Sequence, residues 1–265
     1  MSFKSLLKIS SKIIFTSIGI SVLNIITTDT AKAAPCPAKG STAAASAQNA
    51  TCSTTPKVME IKFYELGFCT GDPLSGNNFD NSTCEKSWVS TSGETIDLAT
   101  FNYTGLTSGL TYKVPSQKYD YAYVVFDPSW VLKGEVYFSG TTYYTDKFGR
   151  VTTTAADYDK FPMRLTNIGG VCSSYSDITN YGPVQARLTD NSLTTADTSG
   201  KCLSATRMVG SVDLNTPLIV TDNVKAYQLT WIIKDMGIEA TDYGYFNGPG
   251  EWKGGPFVPN FTLLK

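Results

Sequence analysis

The sequence predicts an all-β protein, a disulfide-braced antiparallel β-sandwich, and three observations carry the prediction. Apolar residues recur with period two in many short runs; Gly, Pro, Asn and Asp punctuate those runs; nothing reads as a long amphipathic helix. Many short strands with frequent turn signals make a sandwich. The run on which the rest depends is Tyr119-Asp-Tyr-Ala-Tyr-Val-Val-Phe126. Tyr119, Tyr121, Tyr123 and Val125 alternate with Asp120, Ala122, Val124 and Phe126, so both faces look covered. Such a strand belongs in the interior with a neighbour on either side. Its tyrosines read as core, large rings with a hydroxyl that can reach the rim, ahead of a tyrosine-lined ligand face.

Residues 1–33 read as a signal peptide: Lys4, Lys8 and Lys12, an apolar Ile13–Ile26 segment, then Ala31-Lys32-Ala33 before Ala34-Pro35. The apolar run is short for a membrane span, and an uncleaved anchor is the alternative. Cys36 follows Pro35 and lacks the leucine-rich box of a lipoprotein, so lipid anchoring is rejected. Without these residues, which carry four of the 22 Lys and Arg and one of the 23 Asp and Glu, the chain is mildly acidic. Nucleic acid and anionic membranes are therefore excluded as natural partners, since both call for clustered Lys and Arg.

All six cysteines, Cys36, Cys52, Cys69, Cys84, Cys172 and Cys202, follow the expected cut. An even number in an exported chain argues for three disulfides, and their order along the chain favours Cys36 with Cys52, Cys69 with Cys84 and Cys172 with Cys202. A metal-thiolate site is the competing reading, set aside because the chain has no Cys-x-x-Cys pair and no histidine.

In order, residues 34–56 are small and polar and read as an extended arm or surface loop held by its disulfide. A single β-sandwich domain is expected over 57–265. Its first strand, Val58–Phe68, puts Met59, Ile61 and Phe63 on one face until the pattern slips at Glu65, which suggests a bulge. The 69–84 segment is turn chemistry throughout, a stapled loop. Trp88-Val89 and Thr95–Leu98 read as short strands around a Ser92-Gly93 turn, and 101–110 as a looped connection. Trp130–Phe138 reads as one strand. Thr141–Thr145 and Arg150–Thr154 form a hairpin turning at Asp146-Lys147-Phe148-Gly149. Asp157–Phe161 suggests a helical turn, and Met163–Ile168, Val184–Leu188, Thr206–Leu214 and Leu218–Val220 suggest further strands. Lys225–Asp235, with Tyr227, Leu229, Trp231 and Ile233 on one face, is expected to be a second core strand. A Gly/aromatic loop, Tyr243–Pro256, and a strand, Val258–Leu264, close the chain. A transmembrane barrel is the architectural rival, but it needs evenly repeating strands of roughly ten residues, and here the spacing is irregular.

Met59–Phe68, Trp88, Asp97-Leu98, Gly105 or Gly109 and the Tyr119–Phe126 strand follow a shared pattern: first strand, Trp, Asp-Leu pair, Gly-bearing connection, Tyr opening an apolar strand. Over residues 58–138 the chain thereby resembles a family of uncharacterised exported bacterial domains of β-sandwich or prealbumin-like form, with Lys118 where the family's Gly stands. Phe68-Cys69-Thr70 is similar to an early Leu-Cys-Thr segment in secreted proteins of marine bacteria. The resemblance implies a fold and a compartment, and at most a surface or adhesive role without catalytic residues.

The absence of histidine removes the commonest general base, the usual triads and most zinc sites. The only Ser-x-x-Lys pattern lies at Ser5–Lys8, in the signal peptide, and Walker and dinucleotide glycine patterns are missing. Glu135 and Glu251 are candidates for a carboxylate pair of glycosidase type, but Glu135 is expected on a solvent face and nothing obvious perturbs Glu251. No cofactor is expected, with calcium as the one alternative on the oxygen-rich loops Asp72–Asp80 and Thr189–Asp197. These loops read as hydrated turns ahead of calcium sites, and neither has EF-hand spacing. Tyr243, Tyr245, Phe246 and Trp252 are the candidate contact residues: they either stack on a sugar or partner protein, or lid one end of the sandwich.

The reading is a non-enzymatic exported protein, secreted or at the cell surface with the periplasm as an alternative. Its role is structural or adhesive, as a subunit of a surface assembly or filament that self-associates. The alternative is a secreted module that binds a surface glycan through the 243–252 loop.

Overall fold

Strand β3, Val58–Cys69, is the hub of the principal sheet, because three other strands pair with it. The computed structural model describes residues 33–37, 51–100, 109–138, 140–166, 168, 172–178, 182–196, 202–241 and 248–264. Strand β4, Cys84–Asp97, lies along one edge of β3; β6, Lys118–Phe126, and then β7, Ser129–Lys133, follow one another along the other. The expected slip is present, since β3 shifts register between Phe63 and Glu65 against both β4 and β6. Before the bulge Met59, Ile61 and Phe63 are fully buried; after it Leu66 and Phe68 take over the inward face.

The sheet continues from β6 through β14, Arg207–Ile219, to β13, Gly182–Thr189, and the edge strand β12, Ser173–Ile178. At the opposite end lie β11, Phe161–Arg164, on β7, and β5, Leu110–Thr111, on β4, making nine strands. All its pairings are antiparallel. β6 thus has β3 on one side and β14 on the other, as its sequence requires.

Smaller sheets pack over the inner face. β1, Ala34–Pro35, β2, Thr51–Thr54, β16, Ile238–Thr241, and β17, Glu251–Gly254, make one. β8, Glu135–Phe138, β9, Thr141–Thr145, and β10, Val151–Thr152, make the second; β15, Ala226–Ile232, and β18, Val258–Leu264, make the third. Aromatic rings join the layers: Phe63 to Trp231 at 4.8 Å, Phe126 to Phe257 at 5.6 Å, and Phe68 to Phe261 at 4.8 Å between centroids. Each such pair adds about 0.5–1.5 kcal/mol beyond the area it buries. The result is the expected disulfide-braced β-sandwich, with bridges Cys36–Cys52, Cys69–Cys84 and Cys172–Cys202 in the expected pairing.

Several elements differ from the sequence reading. The two strands expected around Ser92-Gly93 are one strand, β4, with a wide bulge: Val89 faces Glu65 and Glu94 faces Phe63, leaving Ser90–Gly93 opposite Tyr64 alone. Gly93 permits this at φ +74°, where a Cβ would come within 2.5 Å of Lys62 Cε. Trp130–Phe138 breaks at Gly134 into β7 and β8, which enter different sheets although Leu132, Val136 and Phe138 all stay buried. Thr206–Leu214 and Leu218–Val220 merge into β14, whose register shifts between Asp213 and Leu218. The expected second core strand is β15, which pairs only with β18 among the described residues and is half-buried. β12 went unpredicted because Ser173-Ser-Tyr-Ser-Asp-Ile178 carries little apolar alternation. Residues 34–56 are not only a loop: β2 pairs antiparallel with β16, and Ser53 is buried. The expected connection 101–110 lies mostly outside the described residues.

Candidate functional site

The outer face of the main sheet, where an ordinary sandwich meets water, is covered here by loops. Tyr123 and Val125 project there from β6 and are 1% and 3% exposed. They pack in one cluster with Leu74, Val209 and Cys69, with Phe79 and Leu193 against it. Leu74 and Phe79 come from the 70–83 loop that Cys69–Cys84 closes, and Phe79 lies 5.1 Å from Tyr123 between ring centroids. Beneath the loop is an acid: Glu65 Oε1 accepts from the Tyr123 hydroxyl at 2.7 Å and Oε2 from Lys86 Nζ at 2.7 Å. Burial, with Glu65 beside it, pushes the Tyr123 pKa far up, so the phenol is fixed as a neutral donor.

The two loops singled out for oxygen donors meet on this face. Asp72 Oδ2 accepts from Gln185 Nε2 at 2.9 Å, and the Leu74 carbonyl accepts from Arg187 Nη2 at 3.2 Å. Thr195 donates its N–H to Asn78 Oδ1 at 3.1 Å and its hydroxyl to the Asn77 carbonyl. Burial lowers the Arg187 pKa, with the Asp72 charge opposing. Sequence separation hid this meeting, and a nearby Leu74 buried among turn residues is a signal that composition masks.

As a cation site the pair is poorly furnished. Asp190 Oδ1 already accepts from Ser192 N and Thr194 N, Asp72 Oδ1 from Leu74 N and Asp80 Oδ1 from Ser82 N. Among the described residues no group of three or more His, Cys, Asp or Glu is arranged to hold a metal ion. What the loops present outward is mostly amide and hydroxyl, with one carboxylate: Ser75, Asn77, Asn78, Asp80, Asn81, Ser82, Ser192 and Thr194 are exposed. This surface, with Asp80 as its exposed charge, is rich in hydrogen-bonding groups of the kind that suit recognition.

The remaining candidates are scattered. Trp252, expected as an exposed stacking ring, is only 4% exposed and belongs to the inner core on β17, which is the lid arrangement; alternation with Glu251 and Lys253 turns it inward. Tyr243, Tyr245 and Phe246 lie outside the described residues. Glu135 pairs with Lys57 at 3.8 Å and Glu251 with Lys253 at 3.1 Å, on strands of different sheets. The Glu135 and Glu251 side chains are 37% and 41% exposed. Cys36 and Cys52 pack partly buried against the inner core, while Cys172 and Cys202 are fully inside it.

Fold and site together define an antiparallel all-β protein with three disulfides and a braced loop platform on one sheet face. No family model, curated protein or solved structure matches the chain. No helix among the described residues is long and apolar enough to cross a membrane.

Proposed function

We propose that the chain is a non-enzymatic extracellular or cell-surface protein with a structural or adhesive role, self-associating or holding a partner through the outer loop platform. The observation that carries this is the clamp between the two loops, Thr195 on Asn77 and Asn78 together with Gln185 on Asp72. Loops fixed to a scaffold and to each other are pre-organised, so little ordering entropy is lost on binding. Three disulfides fit an oxidising compartment. The leader-like residues 1–33 support the same reading.

The test uses residues 34–265 on beads and in solution, measuring attachment to cells of the source and mass by light scattering. Asn81→Arg with Ser192→Arg charges the platform without touching its anchors. Attachment or self-association should fall at least tenfold while the melting curve holds. Turnover of a glycoside or ester that disappears in Glu135→Gln or Glu251→Gln would overturn the proposal, as would unchanged attachment and mass in the charged variant. The loop 243–252 is not retained as a glycan site, because Trp252 was its chief ring and is buried.

A further inference from the structure

We infer that a second site, a saccharide-binding subsite, lies between the β9–β10 turn and the 3-10 turn Ala155–Asp157. A cleft of 540 Å³ is lined by Lys147, Phe148 and Arg150 of the hairpin together with Asp157, Tyr158 and Asp159. That volume falls within the ordinary span of small-ligand sites, roughly 300–1,000 Å³. The inference is independent of the loop platform, since it uses none of its residues.

Phe148 is the feature that needs a reason. It stands at the tip of the hairpin, 66% exposed, with no part in any core cluster. Its position is nonetheless fixed. Asp146, only 6% exposed, accepts from Phe148 N at 2.8 Å and Arg150 N at 2.8 Å through Oδ1, and from Arg150 Nε at 2.8 Å through Oδ2. The Arg150 guanidinium then lies 4.7 Å from the Phe148 ring centre and the Lys147 ammonium 5.0 Å. The two cations lie over the ring, but with the residue 66% exposed the rest of its apolar surface is open to packing by C–H groups such as those of a pyranose.

Charge narrows the ligand. Arg150 is already neutralised by Asp146, its Nη2 also lying 2.8 Å from Oδ2. Lys147 then shares the lining of the cleft with the carboxylates of Asp157 and Asp159. With the Lys133 ammonium 4.1 Å from the Tyr158 ring centre, the balance is near zero and gives phosphates, polyanions and anionic membranes no net attraction. Asp159 Oδ1 already accepts from Lys160 N at 2.8 Å, which leaves its second oxygen and the Asp157 carboxylate to accept from hydroxyls, while the Lys147 ammonium donates to ring or hydroxyl oxygens. A neutral oligosaccharide meets all three features at once. With one ring and few polar contacts in an open cleft, its Kd should be on the order of 0.1–1 mM.

The experiment is an amide-shift NMR titration of residues 34–265 with cello-, chito-, manno- and xylo-oligosaccharides, with polygalacturonate and phosphatidylglycerol vesicles as further arms. At least one neutral series should shift amides around 147–159. Phe148→Ala, and separately Asp157→Asn with Asp159→Asn, should each weaken that binding at least tenfold with unchanged melting, since all three side chains are on the surface. Absence of any neutral binder at millimolar concentration overturns the inference. So does binding that ignores both variants, or vesicle binding lost in Phe148→Ala without saccharide binding, which would make the tip a lipid contact.

Discussion

Glu65 occupies the bulge of β3 with 11% of its side chain exposed, between a buried phenol and a lysine whose side chain is 48% exposed. The two partners should be unequal. Tyr123→Phe leaves a buried carboxylate oxygen without its donor, at a cost of about 1–3 kcal/mol. Lys86→Ala removes a partner that water can replace, at about 0–1 kcal/mol. Urea midpoints for the two variants check this order, and equal losses would contradict it. Asp146 supplies a pH dependence. Burial acts to raise its pKa, but the hydrogen bonds from Arg150 and Phe148 and the Arg150 charge outweigh burial and hold it below the ordinary value of 3.8. A carboxyl depressed in the folded state contributes stability above its unfolded pKa and loses it as pH falls through the folded one. The β9–β10 turn should therefore fray below about pH 4. Protection of the Phe148 and Arg150 amides, their exchange taken relative to the intrinsic rate at each pH, should fall there in the wild type, and Asp146→Asn should flatten the profile.

At the scale of elements, the Cys69–Cys84 bridge joins residues directly opposed across β3 and β4 and closes a loop with a sequence separation of 15. Replacing both cysteines by alanine should cost about 3 kcal/mol from the freed unfolded chain. The same change should expose 70–83 to limited proteolysis before global unfolding, because the loop is then held only by its hydrogen bonds to Gln185, Arg187 and Thr195 and by the packing of Leu74 and Phe79. Gly67 sets a second limit, since a Cβ there would run into the Glu85 carbonyl and the Tyr123 ring. Gly67→Ala should destabilise by about 1–3 kcal/mol, as overpacking does, and calorimetry measures it. What could be read beforehand follows from periodicity. β6, the slip at Glu65 and the 141–154 hairpin all announce themselves by alternation or turn residues. The loop platform does not: Leu74 and Phe79 are isolated among Asn, Ser, Gly and Asp, and fit no period. Trp252 misled for the same reason, because its short strand is flanked by glycines that read as loop. β2 is too small-sided to signal a strand, and its pairing with β16 is visible only in three dimensions.

Across the whole molecule, the segment before Val58 is part of the second layer. β2 fills the edge of β16, with Cys52 opposite Ala240. A chain beginning at residue 57 should leave that edge unpaired and melt several degrees lower, and its mass by light scattering should rise with concentration, since open edges recruit other chains. Reducing only Cys36–Cys52, with the strand retained, should do much less. The partners of β6 carry a different consequence, one of timing. Val125 lies opposite Glu65 on one side and Val209 on the other, so the middle of the sheet joins segments from both halves of the chain. Non-local pairing of this kind makes folding slow. In a chain made N-terminus first, β3, β4 and β6 are present while β14 is still missing, and the Val124–Phe126 edge stays open until it arrives. Arrival of β14 is then the committing event. Substitutions that weaken β14 against β6 should retard refolding, whereas those at the outer strands β11 and β12 should chiefly hasten unfolding.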